Sequence, residues 1–272
     1  MKKTINIDKI HEGLCTKHIG ARIIFLHETS STNDLAKELA FSGSPEGTVV
    51  LAEAQTNGRG RLGREWVSPR GGLYFSVILR PRLAASEAAK LVFAAGLAVV
   101  EALDELYCLR TETKWPNDVI VNGRKVCGIL SEMNMRNGLM DFVVVGFGVN
   151  ANFDIKKALP EPLWANATSL WTELGRKIEL GALFKEVLER LEKLYNSFLK
   201  NGSSPVLREW KKHAAFFGEY VEVISGNEYL SGLALDIEDD GSLTIKLDDG
   251  KVKHVFAGDV SLRRKSNPMS FK

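Results

Sequence analysis

Thr56-Asn57-Gly58-Arg59-Gly60-Arg61-Leu62-Gly63-Arg64-Glu65-Trp66 sets three glycines and three arginines between two apolar, β-rich runs, Val49 to Ala54 and Leu73 to Leu79. The flanking runs read as strands, so the segment connects one strand to the next. Glycine lets the main chain approach a ligand closely, and the planar arginine fork holds carboxylate or phosphate oxygens in pairs. The combination suits a loop that grips an anion, with a phosphate-handling enzyme the first reading. By itself it also suits a single-stranded nucleic-acid binder or an ordinary solvated turn.

Two further segments lie downstream in a fixed order. Lys114-Trp115-Pro116-Asn117-Asp118 leads into Val119 to Val121, then Asn122-Gly123, a strong signal for a tight hairpin turn, then Val126 to Glu132. Phe142 to Val149 reads as another strand, interrupted by Gly146 and Gly148 and followed by Asn150. Upstream, Ile23 to Leu26 reads as a short strand, and Thr29 to Asn33 supplies cap residues for a helix over Asp34 to Ala40. Glu87 to Tyr107 reads as one helix with Leu91, Ala95, Ala98, Ala102 and Leu106 on a single core face. A packing helix follows from Leu183 to Phe198, and a short one over Val206 to Lys212. Strands and helices in this order predict an α+β fold with a mixed, mainly antiparallel sheet.

The character changes near Phe216. Tyr220 to Ile224, Leu230 to Ile237, Leu243 to Leu247 and Val252 to Phe256 are short strands. They are separated by turns at Ser225-Gly226-Asn227, Asp239-Asp240-Gly241 and Asp248-Asp249-Gly250, a pattern that predicts a small antiparallel barrel. The expected division is therefore residues 1–215 and 216–272.

With 36 basic and 34 acidic residues in 272, the formal charge of +2 supplies no strong field for nonspecific binding to DNA or an anionic membrane. Cys15, Cys108 and Cys127 show no CxxC spacing and no companion histidines, so they read as reduced, mostly buried thiols rather than zinc ligands or a disulfide framework. Met1 to Ile10 lacks the apolar run of a secretory signal, and no segment is an uninterrupted membrane span, which points to the cytoplasm.

The order of motifs resembles the biotin protein ligases. The resemblance rests on Ser31-Thr32-Asn33, Gln55 with Gly58-Arg59-Gly60-Arg61, Arg64 and Trp66, the Lys114 to Asp118 pentapeptide, Lys125 with Gly128, and Gly146-Phe147-Gly148 with Asn150. It runs from about residue 23 to the C-terminus, and the pairing of Gly-Arg-Gly-Arg with Lys-Trp-Pro-Asn-Asp is its most specific part. It implies a class II synthetase-like catalytic domain with an SH3-like C-terminal domain. The implied activity is ATP-dependent activation of biotin as biotinyl-5'-AMP, followed by transfer to a lysine of the biotin carrier domain of a carboxylase.

The same resemblance assigns roles. Ser31, Thr32, Asn33, Gln55, Gly58, Arg59, Gly60, Arg61 and Lys125 would surround biotin, with Gly128, Gly146 and Gly148 as close backbone walls. Arg61, Arg64, Trp66, Lys114, Asn117 and Asn150 would serve ATP or the adenylate, Trp66 near adenine and Lys114 at phosphate oxygens. Arg59, Arg61, Lys114, Lys125 and Asp118 would carry the catalysis, Asp118 by aiding Mg²⁺ or by orienting the incoming lysine. Each has a plainer counterpart: helix caps for Ser31, Thr32 and Asn33, a strand bulge for Gly146 and Gly148, a solvated hairpin residue for Lys125, a turn carboxylate for Asp118. Trp115 and Pro116 read as packing.

The implied chemistry explains the cations. Biotin's carboxylate is already ionised at neutral pH, so its attack on the α-phosphorus needs no base; it needs two anions brought together. Two unit charges about 4 Å apart cost about 4 kcal/mol at an effective dielectric near 20. The mixed anhydride then needs shelter from water, which a closing loop over about Thr56 to Glu65, mobile in the empty protein and ordered over bound biotin, would provide.

About twenty residues precede the first expected strand, too few for the winged helix of family members that also repress transcription, so DNA binding is not expected. Two rivals remain. A lipoate–protein ligase shares the fold and the adenylation logic, and a nucleic-acid-binding module would use the arginine loop and the small barrel, although basic residues interleaved with aromatics are sparse there. Family members include monomers and dimers, which leaves a homodimer open.

Overall fold

The computed structural model describes residues 5–262 apart from 6, 138, 162, 226, 227 and 257. The turn expected at Ser225-Gly226-Asn227 lies partly outside these residues, and the tail after 262 wholly so.

A seven-stranded sheet is built from β1 (Arg22–Leu26), β2 (Thr48–Ala52), β3 (Leu73–Leu79), β4 (Thr111–Lys114), β5 (Asp118–Val121), β6 (Arg124–Arg136) and β7 (Leu139–Val149). Its order is β1-β2-β3-β7-β6-β5-β4; β1 and β2 run parallel and every other pair antiparallel. The sheet is thus mixed and mainly antiparallel, as the motif order predicts. At the β5–β6 turn Asn122 and Gly123 both have positive φ, 51° and 74°, the backbone that a two-residue Asn-Gly hairpin requires.

The helices are α1 (Ile7–Gly13), α2 (Thr32–Phe41), α3 (Ala85–Ala88), α4 (Leu91–Tyr107), α5 (Ile155–Ala158), α6 (Leu170–Leu174), α7 (Leu180–Asn201) and α8 (Ser204–Lys212). Successive strand residues point to opposite faces, and the core divides accordingly. Val49, Leu51, Val77, Leu79, Val143 and Val145 belong to the large cluster that also contains α4, α7 and α8, while Val50, Ile78, Phe142 and Val144 pack with Ala36 and Ala40 of α2. On the α2 face of β7 the apolar residues stop at Val144 and glycines follow at 146 and 148. On the other face Phe147 stacks on Phe75 with centroids 4.5 Å apart.

Two expectations need correction. The helix expected over Glu87 to Tyr107 is two pieces, α3 and α4; the expected face of Leu91, Ala95, Ala98 and Ala102 is buried, and burial goes right round the helix from Phe93 to Val100, where it lies between the sheet and α7 with α8, while Asp104 and Glu105 are exposed. Of the cysteines only Cys127 is buried; Cys15 lies between α1 and β1, and Cys108 caps the C-terminus of α4 with φ 51°, both at element ends near solvent.

The C-terminal part is a five-stranded antiparallel sheet of β8 (Tyr220–Ser225), β9 (Glu228–Ile237), β10 (Leu243–Leu247), β11 (Val252–Val255) and β12 (Asp259–Leu262), in the order β11-β10-β9-β8-β12. It docks on the larger sheet through side chains that reach backbone carbonyls: Trp115 Nε1 donates to Gly241 O (3.0 Å) and Lys90 Nζ to Asp239 O (3.0 Å). Trp115 is 2% exposed, in keeping with a packing role. Among the described residues no helix is long and apolar enough to cross a membrane.

Candidate active site

At the N-terminus of α2, where the glycines of β7 begin, the sheet face opens into a cavity of about 320 Å³. Gly146 is opposite Ser76 of β3, and Gly148 is opposite both Tyr74 of β3 and Gly128 of β6, all in unbroken register. The ladder therefore has no bulge here, and the glycines are required for another reason. A Cβ on Gly146 would overlap Asn33 Oδ1 and lie 2.8 Å from Asn33 Cγ; one on Gly148 would overlap Trp66 Nε1 and lie 2.5 Å from Cε2. One on Gly128 would come within 3.0 Å of Trp66 Cζ3. The floor is backbone so that Asn33 and Trp66 can rest on it.

The start of α2 forms the wall at one end. Ser31 is the N-cap, its hydroxyl accepting from Asp34 N–H (3.3 Å), so the capping reading is correct for Ser31 even though it also faces the cavity. Gln55 Oε1 accepts from Thr32 N–H (2.8 Å) and lies 3.0 Å from the Thr32 hydroxyl, while Gln55 Nε2 donates to Ser68 Oγ (2.8 Å). Asn33 Nδ2 donates to Leu130 O (3.2 Å) and to Glu132 Oε2 (2.9 Å), which fixes the amide orientation and leaves Oδ1 as the acceptor for the Ser76 hydroxyl (2.6 Å). This end is lined by neutral donors and acceptors held in place by each other.

The glycine–arginine segment is folded as a hairpin over the cavity. Trp66 N–H donates to Gly58 O (2.9 Å) and Gly60 N–H to Arg64 O (2.7 Å), and a 3₁₀ turn at Arg61–Gly63 forms its tip. A side chain on Gly58 would overlap Trp66 O, which explains that glycine although it is absent from the cavity wall. Arg59 Nη2 lies 2.7 Å from both Glu132 Oε2 and Asp34 Oδ1. Arg61 Nη1 donates to Asn117 Oδ1 (3.3 Å) and to Gly258 O of the C-terminal sheet (3.1 Å).

The opposite end is charged. Lys125 Nζ pairs with Asp118 Oδ1 at 2.7 Å and sits 4.9 Å from the centroid of the Trp66 ring. Asn117 Nδ2 donates to Ile129 O (2.6 Å), and Asn150, 3% exposed, donates to Thr168 O (3.0 Å), tying down the segment that closes this end. Two buried side-chain donors on the wall, Arg59 Nε and Trp66 Nε1, have no hydrogen-bond partner among the described residues. A buried donor left unmatched costs free energy, so these atoms fit a site that a polar ligand completes.

All the residues nominated from sequence come to this cavity wall except Gly58, beneath the hairpin, and Lys114, which pairs in register with Asp118 but lies off the wall. Sequence reasoning missed Ser68, Ser76, Asp34 and Glu132. Ser76 had a signal: it is the one polar residue inside the apolar strand Leu73 to Leu79, and it is 0% exposed. Burial works to raise the pKa of Glu132, but hydrogen bonds from Asn33, Lys37 and Arg59 outweigh it and hold the carboxyl below its ordinary range. Among the described residues no group of three or more His, Cys, Asp or Glu side chains converges as a metal site.

The sequence profile of the Biotin/lipoate A/B protein ligase family matches residues 25–150, and that of the Biotin protein ligase C terminal domain matches residues 216–263. The biotin--[acetyl-CoA-carboxylase] ligase of Paracoccus denitrificans is 35% identical over 226 residues, 81% of this chain and 92% of that protein. The bifunctional ligase/repressor BirA of Bacillus subtilis (strain 168) is 35% identical over 255 residues, 93% of this chain and 78% of that protein. The solved structure of the biotin protein ligase from Aquifex aeolicus in complex with biotin and ATP is similar with a TM-score of 0.77 at 32% identity, covering 90% of this chain and 99% of that one.

Proposed function

The chain belongs to the biotin protein ligase family, and from that premise we propose that it activates biotin with ATP and transfers it to a lysine of a carboxylase carrier domain. The observation that carries this reading is the polarity of the cavity: Thr32, Asn33 and Gln55 at one end, with Ser68 holding Gln55 from behind, and Lys125, Asp118, Asn117 and Arg61 at the other, over a glycine floor. The neutral end matches an uncharged cyclic urea, which both donates and accepts hydrogen bonds. The charged end matches a carboxylate meeting a phosphate.

In the first step a biotin carboxylate oxygen attacks the α-phosphorus, a P–O bond forms and pyrophosphate leaves. Lys125 has three donors and commits one to Asp118, so two remain for carboxylate or phosphate oxygens. Arg61 is positioned beside it through Asn117. Arg59 is already matched by two carboxylates, which gives it a loop-holding role and leaves charge compensation to Lys125, Arg61 and the metal. Mg²⁺ suits a site that offers one carboxylate beside phosphate oxygens, and Asp118 would hold it, where its chemistry is to neutralise phosphate charge. In the second step the neutral lysine amine attacks the acyl carbon and AMP departs; Asp118 is the carboxylate at hand to take the proton.

We assign residues 1–215 to catalysis and 216–272 to an SH3-like domain that holds Arg61 through Gly258 O, and we place the protein in the cytoplasm, with ATP and the carboxylase. Incubation with biotin, ATP, Mg²⁺ and a biotin carrier domain should yield pyrophosphate and a biotinylated carrier. An adenylate formed from lipoate but not from biotin would favour the lipoate–protein ligase; salt-dependent binding of single-stranded nucleic acid with no ATP turnover would favour the nucleic-acid module.

A further inference from the structure

Lys125, the cation beside Asp118, stands on a short hairpin that needs outside support. The Asn122-Gly123 turn joins β5, only 4 residues long, to β6, and the pairing shifts register there, with Ile120 opposite Lys125 and Val119 opposite Cys127. Val126 is the extra residue of this β-bulge, and a bulge sets the direction of the side chains next to it. A carboxylate outside the cavity holds the turn. Glu173 of α6 accepts from Asn122 Nδ2 on Oε2 (2.7 Å) and from Arg124 Nη2 on Oε1 (2.8 Å), and the Thr168 hydroxyl donates to the same Oε1. Thr168 in turn gives its N–H to Lys125 O (2.9 Å), so the turn before Lys125 and the backbone of Lys125 itself are tied to one side chain.

We propose that Glu173 is a positioning residue for Lys125: it fixes the β5–β6 turn and Thr168 in one arrangement, so that Lys125 Nζ is presented to the reacting oxygens beside Asp118. Asn122, Arg124, Thr168 and Glu173 all lie off the cavity wall, so the effect passes through Lys125. The Glu173 side chain is 5% exposed. A carboxylate so shielded from water is costly unless donors match it, and here three do. Taking its charge away leaves a donor of the turn short of an acceptor and lets the hairpin tilt. A displacement of about 1 Å at a reacting group costs as much as about a hundredfold in rate, which makes a remote hold on the turn matter for catalysis. The benefit for catalysis rests on the function proposed above; the hold on the turn does not.

The test uses Glu173→Gln, which keeps the shape but exchanges one acceptor oxygen for an amide donor, alone and combined with Lys125→Ala or with Asn33→Ala. Biotin-dependent pyrophosphate release is read in each, and hydrogen exchange of residues 119–127 is read without substrates. Glu173→Gln should lower kcat/KM for biotin about tenfold, the loss of one charge-assisted bond. In the Lys125→Ala background it should add less than about twofold, because the residue it positions is gone; in the Asn33→Ala background, at the other end of the cavity, the full effect of about tenfold should remain. Exchange should quicken in residues 119–127 and stay unchanged in β3 and β7. Parent-like kinetics of Glu173→Gln would overturn the proposal, and so would an equal fall in both backgrounds. A lowered melting temperature with exchange quickened across the whole sheet would mark Glu173 as structural only. If the parent releases no pyrophosphate with biotin, the proposed function fails, and the exchange of residues 119–127 still decides whether Glu173 holds the turn.

Discussion

Gly146→Ala isolates the requirement for a backbone floor. Gly146 lies in extended strand β7 and outside the positive-φ region, so alanine adds no backbone strain. The whole effect is the new methyl group, which would overlap Asn33 Oδ1 and stand 2.8 Å from Cγ and 3.1 Å from Nδ2. Asn33 must move, and it then forfeits its bonds to Ser76 (2.6 Å), Leu130 O (3.2 Å) and Glu132 (2.9 Å). Two neutral bonds at about 1 kcal/mol each and one to a carboxylate at about 1.5–3 kcal/mol set an upper bound of roughly 3–5 kcal/mol. If about half of that is felt in the complex, roughly 1.5–2.5 kcal/mol, biotin affinity falls about ten- to sixtyfold, measured by titration calorimetry. Gly128→Ala is the internal control: its Cβ would meet Lys125 Cε at 2.9 Å, which the flexible lysine can relieve, and Trp66 Cζ3 at 3.0 Å, which a ring shift of a few tenths of an ångström relieves, so its loss should stay under about tenfold. A Gly146→Ala protein that binds biotin within about threefold of the parent, with the same melting temperature, would refute the steric argument.

Arg61→Ala should suppress biotin-dependent ATP–pyrophosphate exchange by about a hundredfold or more while the protein stays folded; unchanged pyrophosphate release would discard its assignment. Glu192 predicts an acid limb in stability: burial works to raise its pKa, but bonds from the Lys17, Ile19 and His18 N–H groups (2.6–2.8 Å) prevail and depress it in the folded state. Its contribution is therefore full above the unfolded value, near 4.3, and is lost as pH falls through the lower folded value. Denaturant titrations of Glu192→Gln should show a shallower decline below that pH, and parallel curves would remove Glu192 from the explanation. Burial pushes the Cys127 thiol up to about 12, while Cys15 and Cys108 are exposed, so native alkylation should label two thiols and denaturant should release the third. Rapid native labelling of Cys127 would show that the sheet opens there.

Much of the fold was legible because local rules suffice for it. The Asn122-Gly123 turn needs positive φ at both residues, and the short, near-continuous apolar, β-rich runs at Val49 to Ala54, Leu73 to Leu79 and Phe142 to Val149 read as buried strands. In α4 the periodicity marked one buried stripe but not the burial right round Phe93 to Val100, which comes from a sheet on one side and two helices on the other. Ser31 shows that two readings of one residue need not exclude each other: it caps α2 and lines the cavity. Glu132 and Asp34 were invisible because nothing in the chain near either of them signals a meeting with Arg59.

The chain alone determined which residues are able to bind an anion and a polar ring, because glycine, arginine, asparagine and lysine carry that chemistry wherever they stand. It also determined the strand and turn sequence, since these depend on neighbours a few positions away. Only the tertiary structure decided how the charges are matched: Arg59 with Glu132 and Asp34, Lys125 with Asp118, Arg61 with Asn117 and the C-terminal sheet. Coulomb energy and hydrogen bonding depend on distance in space, and docking of the C-terminal part brings Arg61 to a backbone carbonyl, that of Gly258, 197 positions away in the chain.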